Sequence, residues 1–154
     1  MLEVTFVRRR KGPDRVYVAR ADGTSTGWDF PSYGAWLPHD LCHLVVEEGL
    51  RLTDGFWGLV ERGVEVGLVN NQATLLRYGK PLVEQPGVDL GGLMNAEAAV
   101  AALAGPATAA TPELPVTASP ETIAAIQRRL GALAEEWRAL EDGGAIRLSF
   151  SPPQ

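Results

Sequence analysis

A chain of 154 residues, 45% hydrophobic and 21% charged, has the size and balance of one globular domain, and its single cysteine, Cys42, excludes a disulfide within the chain. No apolar run reaches the ~18 residues of a membrane span, and Met1 to Arg8 runs apolar first and basic after, the reverse of a signal peptide, so a soluble cytoplasmic protein is expected. The net charge of -5 argues against nucleic-acid binding.

The first thirty residues read as antiparallel strands. Leu2, Val4 and Phe6 alternate with Glu3 and Thr5, the period of a half-buried strand. Arg8 to Lys11 is a basic run. It marks the charged end of a hairpin, or offers a contact for an acidic partner. Lys11-Gly12-Pro13-Asp14 supplies the turn, and Arg15 to Arg20 the return strand. Asp22-Gly23 signals a second hairpin, with a third strand near Thr26 to Phe30.

Pro31-Ser32-Tyr33-Gly34 reads as a loop. The spacing then predicts a helix starting at Pro38, a favoured first helical residue, and running to Gly49 or Leu50. Thr53 or Asp54 is expected to cap a second helix through Phe56, Trp57, Leu59 and Val60, ending near Gly63. Residues 64–92 leave strand and helix both open, with breaks at Gly79-Lys80-Pro81 and Gln85-Pro86-Gly87. Leu93 to Ala104 is a short alanine-rich helix. A Pro/Ala/Thr-rich linker follows at about 105–119, extended and exposed.

Ser119 caps the last helix, with Pro120 at its first position. Ile123, Ile126, Leu130, Leu133, Trp137 and Leu140 recur at steps of three and four. They form a stripe that covers a sheet, or the seam of a homodimer through helix 120–141. Gly143-Gly144 ends it, and Ala145 to Phe150 is a final strand. The sum is a single α+β domain spanning residues 1–154. Its antiparallel sheet combines the N-terminal meander with the C-terminal strand, and helices cover one face.

The only two histidines, His39 and His43, lie one helical turn apart on one face. They sit where a broad apolar arc meets a strip carrying Asp40 and Glu47. Neutral imidazoles at this spacing grip one metal ion, Zn2+ or another divalent cation. Glu47, one turn further, is a candidate third ligand, or an acceptor that orients a ring. Asp40 is the candidate general base. Tyr33 and Trp36, just before the helix, are candidate pocket residues. In the competing reading the histidines are structural, hydrogen-bonded to carboxylates or carbonyls, and the chain is a non-catalytic interaction or scaffold module.

His39-Asp40-Leu41-Cys42-His43 resembles the HExxH motif of zincin-type zinc hydrolases over those five residues. The resemblance implies a metal-dependent hydrolase with two histidine ligands and a third ligand elsewhere. The family has glutamate where this chain has Asp40. Aspartate is one methylene shorter, and a misplacement of about 1 Å costs roughly 100-fold in rate. More broadly, Leu37 to His43, Gly55 to Val60 and the Trp137 to Gly144 exit are similar to a family of uncharacterised bacterial proteins, a likeness that implies no activity.

Overall fold

The computed structural model describes residues 1–31, 34, 36–105 and 113–151. It is an α+β fold. Strands β1 (Leu2–Val7), β2 (Asp14–Arg20), β3 (Ser25–Phe30) and β7 (Ala145–Phe150) form one antiparallel sheet in the order β3-β2-β1-β7. Val4 lies opposite Val18 on one side and Leu148 on the other, which puts the apolar set of each strand on one face. On that face Leu2, Val4, Phe6 and Val16 are sealed from solvent, whereas Glu3 and Tyr17 on the other remain exposed. The alternation in sequence therefore maps directly onto a sheet with one wet face.

Helices α1 (His39–Gly49), α2 (Phe56–Glu61), α3 (Gly91–Ala104) and α4 (Pro120–Ala139) complete the main layer. Trp57 and Trp137 are the largest fully buried side chains. Trp57 meets Phe6, Trp28 and Phe56 at ring-centroid distances of 5.1–6.1 Å, which ties α2 to the sheet.

Residues 64–92, open between strand and helix in the sequence, hold a second, smaller sheet. It comprises β4 (Glu65–Val69), β5 (Gln72–Arg77) and the short β6 (Lys80–Pro81), followed by a 3-10 turn at Leu82–Glu84. Asn70 and Asn71, both at positive φ (51° and 63°), make the two-residue turn that twisted hairpins favour. The small sheet abuts β3, where Thr26 Oγ1 donates to Glu65 Oε2.

Several local expectations are refined. Pro38 is the residue before α1 rather than its first helical residue, and its carbonyl accepts from Leu41 N and Cys42 N. Neither Thr53 nor Asp54 caps α2. Gly55 stands at that position, and a side chain from α1 does the capping. Ser119 caps α4 as expected, accepting from Thr122 N at 3.1 Å. Of the α4 stripe, Ile126, Leu130, Leu133 and Trp137 are buried within the chain, against α1 and α3 among other elements. In the basic run, Arg8 is buried and donates to the carbonyls of Trp137 and Arg138, closing the C-terminal end of α4. Arg10 donates to Leu140 O nearby, so two of the four basic residues face the chain's own backbone. Residues 106–112, the centre of the Pro/Ala/Thr-rich linker, lie outside the described residues. Among the described residues no helix is long and apolar enough to cross a membrane.

Candidate metal centre

Helix α1 buries Leu41, Leu44, Val45 and Val46 together with two polar residues, His43 and Glu47. Burying a carboxylate without donors is costly, and the chain supplies two from its backbone within ten residues. After Gly49 the backbone reverses through Arg51, at φ 59°, with Leu52 N bonded to Glu47 O. The reversal returns the chain along α1 and aims the first N–H groups of α2 at Glu47. Trp57 N donates to Glu47 Oε1 at 2.9 Å and Phe56 N to Oε2 at 3.2 Å. Glu47 thus caps α2 from another helix. The approach requires Gly55, since a Cβ there would stand 2.6 Å from Glu47 Oε1.

The third donor to Glu47 is His43. Its Nδ1–H donates to Oε2 at 2.8 Å, one turn back along α1. The other ring nitrogen, Nε2, lies 3.0 Å from Oε1 of Glu97, on α3. His39 Nε2 lies 3.5 Å from Oε2 of the same carboxylate. The two imidazoles meet edge to face with centroids 4.7 Å apart. His39, His43 and Glu97 each offer a ligand atom, all within 4.8 Å of one another, a set that could hold a metal ion.

Electrostatics follow from this geometry. Burial pulls the His43 pKa down, but the carboxylates on both ring nitrogens outweigh it and push it up to about 9. Glu97, half exposed, is held well below the usual carboxylate range by its bonds to the two histidines. Burial pushes Glu47 up, against the opposing pull of His43 and the two backbone donors. With Glu47 ionised and His43 protonated, both backbone N–H groups and His43 Nδ1–H have a charged acceptor. Asp40 is also pushed up by burial, while Trp28 Nε1 donates to its Oδ2 at 3.1 Å. Cys42 is raised by burial to about 11, which keeps it a thiol and a poor ligand.

The predicted site residues are now placed. His39 and His43 converge. Glu47 lies behind His43, on Nδ1, with its oxygens taken by three donors. Asp40 lines a cavity of about 320 Å3 together with His39 and Glu97. Trp36 is exposed and lines a separate cavity with Leu37 and Cys42. Tyr33 lies outside the described residues.

Glu97 was missed by sequence reasoning. A signal for it exists, since it is the only charged residue in the helix GGLMNAEAAVAALA. Ala96 and Ala99 are fully buried where α3 packs, and such small side chains let helices approach closely.

No protein-family model, curated protein or solved structure matches the chain. The chemistry of the site has to be read from its own residues.

Proposed function

We propose that the chain binds one divalent cation through His39, His43 and Glu97 and uses it to hydrolyse a small carbonyl substrate. The observation that carries this reading is the His43 arrangement. One ring nitrogen faces His39 and Glu97, while the other donates to a buried carboxylate held by two backbone N–H groups. Metal-ligating histidines have this arrangement almost always, because the rear acceptor fixes the tautomer and makes the ligating nitrogen more basic. Two histidines and one glutamate are a known ligand set of catalytic zinc, with a fourth position left for water. The same donors suit ferrous iron, so both metals belong in the test.

In the hydrolytic reading, Asp40 is the proton acceptor, beside His39 and Glu97 in the same cavity. The oxygen of a water molecule bonds to the substrate carbonyl carbon, and the bond to the leaving oxygen or nitrogen breaks. Asp40 takes a proton from the water and returns it to the leaving group.

A second reading has its own support. Without metal, His43 bridges Glu47 and Glu97 as an imidazolium, and every partner is satisfied. The histidines are then structural and the chain a non-catalytic interaction module, with Arg9 and Lys11 as part of an acidic-partner contact.

Calorimetric titration of metal-stripped protein, prepared without a histidine tag, separates the two. The proposal expects one zinc or ferrous ion per chain and proton release on binding, with binding abolished by His39→Ala/His43→Ala and weakened by at least about 100-fold in Glu97→Ala. Absence of binding to wild-type protein would leave the structural reading.

A further inference from the structure

An apolar groove of about 560 Å3 lies beside the site, walled by Phe56, Leu75, Val83, Leu90, Leu93 and Met94. Among the described residues Glu97 is its only charged lining residue. Glu97 and Ala73 also line the polar cavity that holds His39 and Asp40, so the two spaces meet at the proposed metal ligand. Val83 and Met94 on the groove walls are 60% and 69% exposed, which puts two large exposed apolar side chains at one place.

We propose that this groove seats the apolar tail of the substrate, with the polar, hydrolysable head at His39, His43 and Glu97. The inference rests on the metal-centre reading and adds a substrate class, an amphiphilic ester or amide with an aliphatic or aryl acyl chain. The volume lies in the range that small-molecule sites use. Among the described residues the walls offer no second charged group to hold a polar chain. Glu97 at the junction repels a free carboxylate, so the head that fits there needs the cation. Met94, unbranched and polarizable, adapts to chains of different shape.

The test uses zinc-loaded wild-type protein and two probes that share a metal-binding head, acetohydroxamate and octanohydroxamate. Each buried methylene is worth about fourfold in affinity, so the longer probe, with part of its chain in the groove, is expected to bind at least about 100-fold tighter. Met94→Asp and Val83→Asp, on α3 and on the 3-10 turn and at exposed positions that tolerate substitution, should each remove at least about tenfold of that gain. If both probes bind zinc-loaded protein equally, the groove inference falls and the metal reading stands. A gain that both variants leave untouched places the chain elsewhere and overturns the inference as well. If zinc does not bind, the metal reading fails and the inference falls with it.

Discussion

Replacing Glu47 with glutamine preserves the shape of a fully buried side chain and removes its charge. Three donors converge on it, Trp57 N on Oε1 and Phe56 N with His43 Nδ1 on Oε2. The amide offers one acceptor oxygen. With that oxygen at the Oε2 position, Trp57 N faces an NH2. In the flipped orientation, Phe56 N and His43 do. At least one buried N–H is orphaned in either case, at about 1–3 kcal/mol, and the charge-assisted bond to His43 is weakened or lost besides. The expected loss of metal-free stability is about 2–4 kcal/mol. The rear acceptor of a ligating histidine is typically worth 10- to 100-fold in metal affinity, so zinc binding should weaken by about that factor. Urea unfolding followed by tryptophan fluorescence reads the first quantity, since Trp57 and Trp137 are buried. Competition with a chromophoric chelator reads the second. Glu97→Gln is the matched control. Glu97 is 63% exposed, so its loss should move the unfolding midpoint far less while weakening zinc more. A Glu47→Gln protein within about 0.5 kcal/mol of wild type and with unaltered zinc affinity would refute the reasoning.

Metal-free protein should lose stability as pH rises. The His43 pKa is about 9 in the fold against an ordinary 6.5, so its contribution is complete below pH 6.5 and disappears as pH climbs through 9. The loss is about 3 kcal/mol over that window, checked by urea midpoints between pH 6 and 9.5; a flat profile contradicts it. Zinc binding should run the other way, tightening up to tenfold per pH unit below 9 as the ion displaces the His43 proton, as calorimetry at three pH values would show. Gly55→Ala places a methyl group 2.6 Å from Glu47 Oε1 and 3.0 Å from the Ala96 side chain. Thermal unfolding should show a cost of about 1–3 kcal/mol, with weaker zinc binding because the Glu47–His43 pair is displaced. Arg8→Ala removes the donor to the carbonyls of Trp137 and Arg138, at 2.6 and 3.1 Å, and should cost about 1.5–3 kcal/mol by urea unfolding.

The elements legible in the sequence are those whose local pattern and tertiary role agree. Leu2, Val4 and Phe6 alternate in sequence and are sealed in the sheet. The last strand falls at Ala145–Phe150, the bounds its alternation and the preceding glycines indicate. Helix α1 was delimited to within a residue at its start by Pro38. Residues 64–92 were not legible, because Val64, Val66, Leu68 and Val69 alone, in so short a segment, suit a strand or the continuation of a helix. Asn70-Asn71 was the overlooked hairpin signal.

Two of the three candidate ligands were legible. His39 and His43 are brought together by helical spacing alone. Glu97 is brought there by the packing of α3 on α1, a contact between segments far apart in sequence that no local motif records. Glu47 was visible as a partner of His43 at one helical turn. Its backbone donors come from the reversal at Arg51, and a positive φ at an arginine is not readable from residue type.

X-ray absorption at the zinc edge, on stoichiometrically loaded protein, tests the central claim most directly. The account predicts two imidazole nitrogens at about 2.0–2.1 Å and light oxygen scatterers from Glu97 and water, with one imidazole lost in His39→Ala and no zinc retained once His43→Ala is added. A sulfur scatterer at about 2.3 Å would assign the ion to Cys42, and a shell without imidazole would place it away from α1; either result contradicts the account.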